Sequence, residues 1–125
     1  MRIEYIGKDK VSAPDTPHSP GVIGEDLLYV SSQGPWDPNA KKIVGGSIEQ
    51  QARLALNNVK AVIENAGFFM HSTIKVTVFL ADINDFDKFN KVYQEFFSTK
   101  LPARTVVQAK LAFGSKCEVE AIVGR

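Results

Sequence analysis

Leu101-Pro102-Ala103-Arg104-Thr105-Val106-Val107 ends one structural element and starts another. Pro102 has a fixed φ and biases Leu101 away from helical geometry, so the helical pattern before it stops here. The β-branched pair Val106-Val107 reads as a strand with buried positions, and Arg104 enters at its start. The other three arginines, Arg2, Arg53 and Arg125, fall where solvent is the obvious destination. A guanidinium keeps its charge in proteins and presents a planar fork of donors that matches a carboxylate. On chemistry alone, Arg104 serves either to grip a ligand's carboxylate or to pair with a structural one at a strand end.

Working outward, Phe86, Phe89, Tyr93 and Phe96/Phe97 recur at helical spacing, with acidic residues in the first turn near Asn84 or Asp85. Before that helix, Thr73 to Leu80 alternates as a strand, with Ile74, Val76, Val78 and Leu80 on one side. Ser47-Ile48-Glu49-Gln50 is a capping-box start. It opens a helix whose apolar face holds Ala52, Ala55/Leu56, Val59, Val62/Ile63 and Ala66, stopped by Gly67. Arg2 to Ile6, Gly21 to Ile23 and Leu27 to Ser31 read as strands. The segment around Pro35-Trp36-Asp37-Pro38-Asn39 reads as turns, and Trp36 as packing a loop. Thr105 to Ala109 and Cys117 to Ile122 are the last two strands. The order is β-β-β-α-β-α-β-β, a single α+β domain over residues 1–125 with both helices on one face of a mixed sheet. Two helices leave the other sheet face needing cover, which argues for oligomerisation.

Composition narrows the function classes. Fifteen basic and fourteen acidic residues give a net charge of +1, with lysines scattered from Lys8 to Lys116. The stripe of positive charge that marks a nucleic-acid binder is missing. No apolar run approaches the length of a membrane span, and Met1 to Ile6 carries charges where a signal peptide would be apolar. The cytoplasm is the expected location. Cys117 is the only cysteine and reads as an inert buried thiol; with His18 and His71 it makes no metal-ligand cluster. Gly45-Gly46 is a turn rather than a phosphate loop.

Several motifs together resemble the RidA family of reactive-intermediate deaminases. They are Pro102-Ala103-Arg104, the run Cys117-Glu118-Val119-Glu120-Ala121-Ile122, and Leu27 to Gln33 with its Ser31-Ser32-Gln33 end. Asp85-Phe86, followed by Asn90, Tyr93 and Phe96-Phe97, belongs with them. The matches keep family order and spacing from about Pro17 to Ile122. The resemblance implies the chorismate mutase-like RidA fold, a homotrimer with sheets facing inward, and sites at the three subunit interfaces. It implies hydrolysis of 2-imino acids such as 2-iminobutanoate and 2-iminopropanoate to 2-oxo acids and ammonia. No cofactor is implied for this chain, although such imines are shed by pyridoxal-phosphate enzymes, a functional link rather than a requirement.

Glu118 and Glu120 share one face of the last strand, two residues apart. Adjacent carboxylates on a partly buried strand suit proton transfer, or form a solvated or neutralised structural face. The resemblance assigns the water-handling role to Glu118 and the carboxylate grip to Arg104, as catalytic residues. It places His18, Ser31, Ser32, Asn90 and Val106 around the substrate. Asn90 borders an apolar helical face, where an amide needs a partner, such as a loop carbonyl or a ligand. Three of these positions depart from the family pattern. His18 stands for a tyrosine, Ser32 for a glycine, and Val106 for a cysteine. A hairpin of the last two strands about Phe113 would pair Arg104 near Ile122 and Glu118 near Gln108. The competing readings are a non-catalytic trimeric module that binds small metabolites through Arg104, and an RNA-cleaving or translation-inhibiting protein.

Overall fold

Ser47 opens the longer helix as its spacing predicts. Its Oγ accepts the Gln50 amide at 3.1 Å, and Gln50 Oε1 accepts the Ser47 amide at 2.9 Å. In the computed structural model, which describes all residues from Met1 to Arg125, this helix is α1 (Ile48–Asn65). Gly67 ends it with a φ of +79°, a conformation a side chain would strain. The Gly67 and Phe68 amides then reach back to the carbonyls of Glu64 and Ile63, both at 3.0 Å.

The strands are β1 (Ile3–Ile6), β2 (Gly21–Gly24), β3 (Leu27–Gln33), β4 (Trp36–Asp37), β5 (Lys42–Ile43), β6 (Thr73–Leu80), β7 (Ala103–Gln108) and β8 (Cys117–Gly124). The second helix, α2 (Phe86–Phe96), connects β6 to β7. Six strands form one mixed sheet in the order β1-β2-β3-β8-β6-β7, while β4 and β5 make a separate small hairpin. The sequence shows that hairpin only as turns, because two-residue strands have no periodicity to read. The domain is thus the α+β arrangement expected, with α1 lying on β3, β8 and α2.

The last two strands do not pair as a hairpin. β7 runs parallel to β6, with Val76 opposite Arg104, and β8 lies on the other side of β6, antiparallel, with Phe79 opposite Glu118. The cause is the helix between β6 and β7. A β-α-β crossover sets its two strands side by side and parallel. The connection after β7 then passes round the end of β6, where the Ala109 amide bonds the Leu80 carbonyl and the Ala81 amide bonds the Lys116 carbonyl, each at 2.9 Å. A second correction concerns β6. Its register slips between Thr73 and Lys75, so Thr73 is buried and Ile74 is 50% exposed, against the simple alternation.

The helix-facing side of the sheet is a dry core in which Leu28, Val76, Val78, Leu80, Val119 and Val123 are fully buried. The opposite face has no cover within the chain. There Tyr5 and Tyr29 are 63% and 47% exposed, although both sit on paired strands.

Buried amides of α1 fasten the neighbouring loops. Asn58 donates to the carbonyls of Gly34 at 3.1 Å and Trp36 at 2.8 Å. Gln51 donates to the Gly46 carbonyl at 3.2 Å and accepts the Lys116 amide at 2.9 Å. Removing the Asn58 amide strands two carbonyls near the core. Asn58→Ala is expected to lower unfolding free energy by about 2–3 kcal/mol in urea titrations. A loss below about 0.5 kcal/mol would show that water replaces the amide without cost.

Candidate functional site

β3 carries an extra residue opposite β8. Val30 pairs with Ala121 and Gln33 with Val119, which leaves Ser31 and Ser32 opposite Glu120 alone. This bulge turns the two serines to different partners. Ser31 Oγ donates to the Ser19 carbonyl at 2.6 Å, and Ser32 Oγ donates to Glu118 Oε1 at 2.6 Å. Around them lies a cavity of about 370 Å³. His18, Ser31, Ser32 and Glu118 all line it, with Trp36 and Phe113 among its apolar walls. The second oxygen of Glu118 has no hydrogen bond within the chain and is free for water. Glu120, on the same strand face, is exposed and lies outside the cavity. Trp36 packs a loop as expected, its Nε1 donating to Ser12 Oγ at 3.0 Å.

Arg104 belongs to a different hollow, of about 250 Å³, bounded by α2 and the chain entering β7. Its Nη1 donates to Asn90 Oδ1 at 2.8 Å. Its guanidinium carbon lies 4.7 Å from the centre of the Tyr93 ring and 5.6 Å from that of Phe86. The only salt bridge of the chain joins Arg53 to Glu95, so no structural carboxylate neutralises Arg104. Asn90 thus meets the arginine rather than a loop carbonyl. Tyr93 is buried and its phenol is pushed up to about 12, chiefly by burial and against the opposing pull of Arg104. Sequence reading identified Phe86 and Tyr93 only as an apolar stripe. Their spacing with Asn90 was visible, but not the cation they face. Val106 lies two residues beyond Arg104 on the same face, opposite Val78, with its side chain against the core and in neither cavity.

The two halves do not meet within one chain. Arg104 lies opposite the buried Val76, on the helix side of the sheet, whereas Glu118 lies opposite Phe79, on the uncovered side. Two strand spacings and three residues separate them, roughly 14 Å at Cα, with the side chains leaving opposite faces.

The sequence profile of the Endoribonuclease L-PSP family matches residues 9–124. The chain belongs to this family, which is the RidA family its motifs resemble. A RutC family protein of Saccharolobus solfataricus is 44% identical over 105 residues, 84% of this chain and 83% of that protein. The human 2-iminobutanoate/2-iminopropanoate deaminase is 37% identical over 107 residues, 85% of this chain and 78% of the human one. The crystal structure of E. coli TdcF with bound serine superposes with a TM-score of 0.89 at 36% identity, covering 98% of each chain.

Cys117 is fully buried, and its thiol is pushed up to about 12, first by burial and then by the neighbouring Glu118 and Asp85 carboxylates. At neutral pH it is therefore protonated as well as inaccessible. Alkylation by iodoacetamide at pH 8 is expected to be at least ~100-fold slower in the native protein than in urea, read by mass spectrometry. Comparable rates would mean that β8 opens readily.

Proposed function

We propose that the protein is a 2-imino acid deaminase, acting on small imines of the 2-iminobutanoate and 2-iminopropanoate type. It works as a homotrimer in the cytoplasm, with each site formed where Arg104 of one copy meets Glu118 of another. The observation that carries this reading is the separation of the two residues onto opposite sheet faces. An unneutralised arginine and a carboxylate with a free oxygen each lie in a half-site, and a second copy of the chain is the simplest way to join them. The bare sheet face with Tyr5 and Tyr29 gives such a copy something to cover. The human relative's name supplies the reaction class, and TdcF with bound serine supplies a precedent for a small carboxylate ligand.

The chemistry asks little of the protein. The iminium carbon is already electrophilic, so the tasks are to hold the carboxylate, place a water and move protons. Arg104 grips the carboxylate with its guanidinium fork, aimed by Asn90 and the two rings. Backbone N–H groups near Ser32 and Val106 support that grip. Glu118, steadied by Ser32 on one oxygen, orients water with the other and takes its proton as the carbon–oxygen bond forms. It then returns a proton to nitrogen, the hydroxyl proton passes to the departing nitrogen as the carbon–nitrogen bond breaks, and the products are a 2-oxo acid and ammonium.

Light scattering is expected to give about three times the 13.8 kDa chain mass. A stable monomer at micromolar concentration removes the shared site. In an assay that traps surviving imine with semicarbazide, Arg104→Ala is expected to lose roughly 30- to 1000-fold in rate with the fold intact, equivalent to about 2–4 kcal/mol. Arg104→Lys is expected to be poor as well, since a point charge does not reproduce the fork.

Glu118→Gln is expected to lower turnover far more than affinity for 2-oxobutanoate, while Glu120→Gln stays active. The reverse ranking would move the mechanism to Glu120. Mixing decides the shared site. Arg104→Ala and Glu118→Gln chains co-expressed in equal amounts are expected to recover about a quarter of wild-type turnover, because random assembly pairs intact halves at that frequency. No recovery above the separate variants would place the whole site in one copy.

A further inference from the structure

We propose that His18 is a second proton-transfer residue of the Glu118 cavity, acting through its Nε2. This rests on the imine-hydrolysis reading above and adds a step to it.

Two ionisable side chains line the cavity, His18 and Glu118. Both are fixed by neighbouring residues of the same bulge. Ser32 holds Glu118 directly. Ser31 holds the chain just after His18, through the Ser19 carbonyl at 2.6 Å and the Pro20 carbonyl at 2.9 Å. On its other side, the His18 amide closes a tight turn onto the Thr16 carbonyl at 2.7 Å. The imidazole is therefore anchored from both chain directions.

Its hydrogen bonds engage one ring nitrogen and leave the other. Nδ1 lies 2.5 Å from Thr16 Oγ1 and 3.2 Å from the Thr16 carbonyl oxygen. Both contacts engage Nδ1; in the proposed step the hydrogen sits on Nδ1, donating to the Thr16 carbonyl, and Nε2 is the acceptor. Nε2 has no partner in the chain. Glu118 from β8 is the other ionisable group of the cavity lining, and on the His18 loop the Lys8 ammonium donates to the Thr16 carbonyl, with Asp15 and Asp9 in the hollow that Lys8 also borders. The remaining lining, from β3, the β4–β5 hairpin and the loop before β8, carries no charge.

The added step follows the attack of water. Glu118 takes a proton as water bonds the iminium carbon and the π pair moves to nitrogen, then returns that proton to give the ammonium of a carbinolamine. Collapse now requires removal of the hydroxyl proton. Nε2 takes it as the carbonyl re-forms and the carbon–nitrogen bond breaks. The released ammonia takes the proton from the imidazolium and leaves as ammonium. Iminium plus water has become 2-oxo acid plus ammonium, and both side chains are restored.

The test compares wild type, His18→Phe and His18→Ala in the imine assay across the range where imidazoles titrate. His18→Phe keeps a flat ring and removes both nitrogens. It is expected to lower kcat by on the order of 100-fold with KM within about twofold, and to lose one acid limb of the kcat profile. Added imidazole is expected to restore part of the His18→Ala rate, more at higher pH, which a purely structural wall would not show. Oligomer mass and thermal midpoint check that both variants fold. If wild type is active and His18→Phe matches it in kcat and pH profile, the proposal is wrong and the deaminase reading stands. If wild type itself leaves the imine untouched, the deaminase reading falls, and this step falls with it.

Discussion

An extended chain shows its side chains to alternate faces, and that period of two decides where the reactive groups of this protein can meet. The buried valines of β6 fix one face of the sheet as the core side. Pairing then carries the assignment outward to β7, where Arg104 aligns with Val76, and to β8, where Glu118 aligns with Phe79. A one-residue slip of either strand would reverse its faces and bury a carboxylate or expose the core. The burial of Val76, Val78, Val119 and Val123 therefore holds Arg104 and Glu118 apart as firmly as it holds the sheet together.

Arg104 shows how a charge is kept available. Partial burial of a guanidinium needs compensation, and a carboxylate neighbour would give the most. It would also compete with an anionic ligand for the same fork. An amide oxygen and two ring faces compensate without a formal charge, and they restrict the guanidinium to few orientations. The arrangement comes from one helix: Phe86, Asn90 and Tyr93 lie four and three residues apart, so they form a single stripe directed at the edge strand.

Much of this was legible from local pattern. Ser47-Gln50 and Gly67 bounded α1, the aromatic stripe located α2, and the shared face of Glu118 and Glu120 followed from spacing alone. What failed depended on partners that are distant in sequence. The last two strands look like a hairpin because they are adjacent in the chain. Only the parallel demand of the β6-α2-β7 crossover moves β8 across to the far side of β6. The slips at Ser31-Ser32 and at Thr73 to Lys75 were also hidden, since a bulge is a mismatch between two strands and neither sequence contains it alone. Arg104 stands out in the sequence, but the aromatic faces that hold it show there only as the apolar stripe of a helix.

The departures from the family pattern gain physical accounts from their surroundings. A glycine is required only where φ is positive or a side chain would collide. Ser32 is not among the residues with positive φ, and its hydroxyl has a partner, so serine is accommodated there without strain. Val106 turns its side chain to the core opposite Val78, where a branched apolar group fits as well as a small thiol. His18 is the departure that changes the cavity's chemistry, because it adds a second ionisable side chain to the lining that holds Glu118. Ser32 and His18 border the same cavity, Ser32 from the bulge and His18 from the loop before β2 that Ser31 holds through the Ser19 carbonyl. Ser32 occupies one oxygen of Glu118 and leaves the other without a partner in the chain, and the His18 Nε2 is likewise without one. Two of the three departures, His18 and Ser32, thus border the Glu118 cavity, whereas the arginine hollow keeps the Arg104, Asn90 and Tyr93 of the family motif.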